Sequence, residues 1–204
     1  MFRFFKNIFN AVIIVLVIAG VNNLYNNHCF DDIIANCSNF FKEKSEQAVQ
    51  KVGDFSNINS EFSVDTAVNL FGFKAVIAEH RASGQRMIVL DSGKKVLLSE
   101  NDIKGDGVKL KLDELSQKFK YQSSNVSDIV ILDKGYLSAY DKNLPYVKFS
   151  ARVTRLPISK VTGMIAVNAS NPKEQRLLVS VNEKNRYSQL ITNEFYRGVK
   201  ETEK

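Results

Sequence analysis

The chain has 204 residues, 44% hydrophobic and 25% charged, which excludes a wholly disordered chain and leaves room for one domain with a real core. Its 14 Phe and no Trp point to a core of Phe with Ile, Leu and Val. The formal net charge is +6; without Arg3 and Lys6 it is about +4, spread from Lys42 to Lys204 among acids, which reads as a solvated surface or a patch for anionic lipid or polymer.

The N-terminus opens MFRFFKNIFNAVIIVLVIAGVNNLY. Arg3 and Lys6 precede an apolar run from Ile8 to Val21, broken only by Asn10. With Phe4, Phe5, Leu24 and Tyr25 as flanks, residues 4–25 reach about 20 residues, roughly one bilayer. No Lys or Arg follows between Asn22 and Phe41, whereas Asp31 and Asp32 do. This asymmetry predicts a single-pass anchor in the cell membrane, with the N-terminus cytoplasmic and the domain extracytoplasmic. A buried core helix would not lack a polar face from Ala11 to Val21. A cleaved secretory signal is the rival, since Ala19-Gly20 offers small residues, but Val17 or Ile18 is bulkier than the preferred Ala. Either outcome places the domain across the membrane, away from nucleic acid.

The expected organisation is an anchor and polar juncture over 1–27, an amphipathic helical segment over 28–55, an extracytoplasmic domain over 56–200 and a frayed tail over 201–204. Ile33, Ile34, Cys37, Phe40, Phe41, Ala48, Val49 and Val52 recur at helical spacing over 31–52, with Asp31 and Asp32 at the positive end and Gly53 as stop. A short helix is expected over 65–71, stopped by Gly72. Strands follow over 73–81, 86–91 and 95–100, separated by hairpin turns at Ala82-Ser83-Gly84-Gln85 and Ser92-Gly93-Lys94. Residues 101–107 read as a polar loop. A helix over 112–120 shows Leu112, Leu115 and Phe119 on one side.

A second strand set is expected over 127–132 and 136–140, around Asp133-Lys134-Gly135. Residues 146–155 form the clearest strand, burying Val147, Phe149, Ala151 and Val153 and wetting Lys148, Ser150, Arg152 and Thr154. Strands over 161–168 and 176–181 continue, with Asn171-Pro172-Lys173 as turn. A helix over 186–199 closes the chain, with Tyr187, Leu190, Ile191, Phe195 and Val199 as its inner face. The short connections predict an α+β fold: a mainly antiparallel sheet with helices packed on it, behind an N-terminal transmembrane helix. The meander from Tyr146 to Val181 closed by a helix is similar in architecture to PsbP-like sandwiches, without a shared motif. The order of anchor, helix and sheet is similar to that of pilins, but their leader cut and the Glu in the apolar run are missing.

His28 and His80 are the only histidines, which excludes chemistry built on several of them. His28, Cys29, Asp31, Asp32 and Cys37 match no zinc spacing. Cys37 falls on the apolar stripe of the predicted helix, where a free thiol packs as a small hydrophobe; the alternative in an oxidising compartment is a Cys29–Cys37 disulfide. Ser92-Gly93-Lys94-Lys95 satisfies S-x-x-K but lacks S-D-N and K-T-G. Asn101, Asp102, Gly105, Asp106 and Gly107 fail the calcium-loop alternation. No catalytic residue, metal or cofactor is assigned. The densest positive surface is Tyr146, Lys148, Arg152, Arg155 and Lys160, a candidate site for an anionic ligand.

The N-terminal segment, together with a motif search that finds no compact catalytic signature, thus predicts a membrane-anchored envelope domain with a binding or assembly role, whose partners are the membrane and an envelope protein or an anionic lipid or polymer. The alternative is an envelope hydrolase or transferase using His80, Asp91, Ser92 and Lys95. A deep pocket with His80 bonded to a carboxylate favours the enzyme; a filled core with His80 exposed favours the binding role.

Overall fold

Segments rich in Val, Ile and Phe, punctuated by short polar turns, pair into one antiparallel sheet. The computed structural model describes Val49 and residues 52–70, 73–92, 96–118, 125–154, 160–171 and 174–202. The predicted anchor, Cys29, Cys37, Lys95 and Arg155 lie outside these residues, as does the amphipathic helix except Val49 and Val52, which are helical. No helix among the described residues is long and apolar enough to cross a membrane.

The strands are β1 (Phe62–Leu70), β2 (Phe73–His80), β3 (Gln85–Asp91), β4 (Asn125–Ala139), β5 (Lys142–Thr154), β6 (Lys160–Asn171) and β7 (Glu174–Glu183), and the helices α1 (Glu100–Lys104), α2 (Val108–Lys118) and α3 (Gln189–Gly198). The sheet order is β1-β2-β3-β7-β6-β5-β4, and every pair is antiparallel. Two meanders, β1–β3 and β4–β7, therefore meet at one seam, β3 against β7. From β3 the chain must travel to the far edge to begin β4, and α1 and α2 lie in that crossing.

Helices cover both faces. On the first, Ile88, Leu90, Val147, Phe149 and Val179 pack with Leu98, Ile103, Val108 and Leu112 of the α1–α2 segment. On the second, Met87, Val89, Leu144, Met164 and Leu178 pack with Phe195, Tyr196 and Val199. The Phe195 ring meets Phe62 at 5.2 Å and Tyr196 edge-on at 5.1 Å, geometries that aromatic quadrupoles favour. With both faces dry, the central strands need no alternation, and every residue of β3 is buried.

Several expectations are corrected. Residues 65–70 of the predicted helix over 65–71 belong instead to β1, paired with β2 from Phe62↔His80 to Leu70↔Phe73. A bulge between Val64 and Thr66 breaks the period-two signal that would have marked a strand. Residues 96–100 form no strand, because β7 occupies the edge of β3, and the expected turn at Gly93-Lys94 lies outside the described residues. Ser99 instead caps α1. Its hydroxyl accepts from the Asp102 amide at 3.1 Å, and its own amide donates to the Asp102 carboxylate at 2.7 Å. The second bond is the main cause holding that carboxyl below its usual range. This capping box uses Asp where Glu or Gln is usual, so the expected loop over 101–107 begins as helix.

The two strands over 127–132 and 136–140 are one strand, β4, with bulges between Ser127 and Val130 and between Ile131 and Asp133. Gly135 is not a turn residue; a Cβ there would lie 2.9 Å from the Tyr146 ring. Leu190 is 79% exposed, and α3 buries Thr192, Phe195 and Tyr196. Glu201, expected in the frayed tail, pairs with Arg176 at 2.5 Å and Lys142 at 3.7 Å.

α3 locks the seam. Ile88 and Val179 face each other across it and point their side chains to the first face, exposing their backbone to the second. There the Tyr196 hydroxyl accepts from the Ile88 amide at 3.2 Å and donates to the Val179 carbonyl at 2.6 Å. One end of α3 is held by fully buried Gln85, which donates to the Ser188 carbonyl and Thr192 Oγ1 and accepts from the Ser188 amide.

Tyr196→Phe removes a partner from two polar groups in a dry interior and is expected to cost about 1–3 kcal/mol, read as a lower urea midpoint at unchanged slope. Gly163→Ala is expected to cost about 1–3 kcal/mol by overpacking, read as a lower melting temperature, because the new Cβ would lie 2.8 Å from Phe149 Cζ and 3.0 Å from the Ser180 carbonyl.

Candidate binding surface on the second sheet face

Alternation along β5 decides where its polar residues go. Tyr146, Lys148, Ser150 and Arg152 pair across β6 with Ala166, Met164, Thr162 and Lys160. Met164 and Ala166 belong to the second-face core, so these residues and Lys160 share that face. Four of the five expected binding residues are thus brought together. Arg155 lies outside the described residues.

The strand is not simply wet on this side: Tyr146, Lys148 and Ser150 are half-buried. Lys148 Nζ stands 5.2 Å from the centre of the Tyr187 ring, just ahead of α3, a cation–π contact. Tyr146 donates to Asp133 Oδ2 at 2.9 Å. Further along, Arg152 and Lys160 are exposed. Arg152 Nε lies 3.3 Å from Asp128 Oδ2, with 53% and 65% of those side chains accessible. Asp128 sits beside the β4 bulge at φ 55°, a left-handed geometry that Asp tolerates.

The Lys184 amide donates to the Lys160 carbonyl at 3.1 Å, so the turn carrying exposed Lys184 and Arg186 borders the corner. Val130, paired with Ser150, is 51% exposed, and Leu132 is 50% exposed. Lys148, Arg152, Lys160, Lys184 and Arg186 thus surround or border a corner whose nearby acids include Asp128 and Asp133. An exposed pair such as Arg152–Asp128 is worth at most about 1 kcal/mol, so an anionic ligand can displace it. Tyr187, Asp128 and Val130 were not legible as members of this surface, because the β4 bulge and the placement of α3 assemble them.

The groups of the enzyme alternative diverge. His80 is buried, its ring tilted against Phe62 at 5.1 Å between centres. Its Nδ1 accepts from the Ser83 amide at 3.2 Å and lies 2.9 Å from Ser83 Oγ, which leaves Nε2 to donate to Glu61 Oε2 at 3.4 Å. Ser83 Oγ also accepts from the Gln85 amide at 3.2 Å, so the cluster fastens the β2–β3 turn. His80 pairs with Gln85, whereas Asp91 pairs with Lys74 at the other end of the hairpin, about 20 Å away by strand rise. A cavity of about 680 Å³ lies between Gly53–Asn57, Asp141 and Lys200–Thr202 and touches none of His80, Asp91 or Ser92. Among the described residues no group of His, Cys, Asp and Glu is placed to hold a metal. No family model matches this chain, and no curated protein matches it significantly.

The Tyr146 phenol is pushed up to about 12 by burial and by its hydrogen bond to Asp133. The folded chain therefore holds this proton more tightly than the unfolded chain. The resulting stabilisation is complete below the ordinary value of 10.0 and is lost as pH rises toward about 12. The stability difference between the wild type and Tyr146→Phe is expected to shrink across that window, measured by urea denaturation at successive pH values.

Proposed function

We propose that the chain is a membrane-anchored extracytoplasmic domain with a non-catalytic binding or assembly role, its binding surface the corner carrying Tyr146, Lys148, Arg152 and Lys160. The anchor reading draws on the apolar run from Ile8 to Val21 behind Arg3 and Lys6. The binding reading draws on one observation: Lys148, Arg152 and Lys160 share a sheet face, with Arg152 and Lys160 open to solvent. The hydrogen bond of His80 to Glu61 favours the second reading, an envelope hydrolase or transferase, in one respect. The cavity's position away from His80 weighs against it.

The full chain is expected to fractionate with membranes, and protease added from outside is expected to cut beyond Asn27. Cytosolic recovery of the intact chain would refute the anchor. Affinity capture from solubilised membranes is expected to recover an anionic envelope partner, lost with Arg152→Glu/Lys160→Glu. Recovery of the chain alone, with turnover of a cell-wall or lipid substrate, selects the enzyme.

A further inference from the structure

We infer that the cationic corner docks on the headgroup phosphates of anionic phospholipid, so that the domain lies against the membrane its N-terminus enters. This rests on the membrane-anchored reading and names the partner of the proposed surface.

Two observations support this docking, and the second selects a bilayer over a soluble polyanion. The first is charge complementarity. Lys148, Arg152 and Lys160 share one face, Lys184 abuts Lys160 through its backbone, and exposed Arg186 follows in the same turn. The opposing acids are engaged, Asp128 with Arg152 and Asp133 with Tyr146. The second is the company these cations keep. Val130 lies beside Ser150 on the same face and, with Leu132, is about half exposed on the open edge of the sheet. A soluble polyanion offers these side chains no apolar phase, whereas the interfacial zone of a bilayer accepts them beneath the plane where Lys and Arg meet phosphate. Tethering supplies the remainder. A domain held to its own membrane sees lipid at high effective concentration, so a few exposed cations suffice where they would be too weak for a free protein.

The test uses the full-length chain reconstituted into vesicles of phosphatidylcholine alone or mixed with phosphatidylglycerol, with hydrogen exchange followed by mass spectrometry. Peptides covering 127–133 and 184–187 are expected to exchange several-fold more slowly on the mixed vesicles only, and the opposite edge, 62–66, at the same rate on both. Arg152→Glu/Lys160→Glu alters two exposed side chains and is expected to abolish the protection; each lost cation weakens docking roughly fivefold. Equal exchange on both vesicle types overturns the inference. So does the same protection in neutral micelles with soluble polyphosphate, which assigns the corner to a polymer. Failure of the anchor reads out separately, as a chain that leaves neutral vesicles on flotation, while exchange on mixed vesicles still decides the corner.

Discussion

The seam between β3 and β7 is the constraint on which the rest of the fold depends. Each meander is made of local hairpins, but neither covers its own faces. Only when β3 and β7 pair, from Arg86↔Val181 to Asp91↔Arg176, does one sheet wide enough for helices on both sides exist. That pairing joins residues about ninety positions apart, so its loop-closure cost must be offset by burial and by hydrogen bonds made only at the seam. Tyr196 and Gln85 supply such bonds. Each ties α3 to a strand of the seam, so α3 docks only on the correctly joined sheet. A slip of one residue would turn the side chain of Ile88 or of Val179 under α3 and deny the Tyr196 hydroxyl its backbone partners.

The same geometry leaves the second face partly bare. α3 has 10 residues, about 15 Å of helix. β5 has 13, about 44 Å of strand. A helix that short cannot cover a strand that long. It covers the stretch near Leu144 and Met164, and the opposite end of β5, with Ser150 and Arg152, extends past it. There the sequence changes from apolar to cationic at the positions that alternation directs to this face. The open corner is thus a consequence of element length, and its residue types follow the exposure that length creates. Both outer strands carry bulges, which disfavour edge-to-edge pairing with other chains and leave the face as the more accessible surface.

Sequence patterning made much of this legible. β2, β3, β5, β6 and β7 announce themselves by β-branched runs between turns, and the antiparallel α+β class follows from the short connections. Four residues of the surface follow from the alternation of β5 and the start of β6. What patterning missed has physical causes. Bulges in β1 and β4 add a residue and shift the period, so one strand resembled a helix and the other two strands. The capping box at Ser99 was hidden because Asp102 replaces the longer Glu or Gln. The inner stripe of α3 was misplaced at Leu190 because its polar members, Thr192 and the Tyr196 hydroxyl, are buried for bonds to Gln85 and the seam. No pattern of hydrophobicity encodes that choice.

Polar groups therefore do two different jobs in this chain, separated by solvent. Inside, Gln85, Thr192 and Tyr196 are buried and bonded at short range, where losing a partner is costly because water cannot replace it; they specify the register. At the corner, Arg152 and Asp128 hold each other in open water, where the pair is nearly neutral in free energy and screened by salt. Exchanging Asp128 for an external anion costs the fold almost nothing. Binding and release at the proposed surface would leave the seam undisturbed, because Arg152 and Asp128 are not among the groups that hold the sheet together.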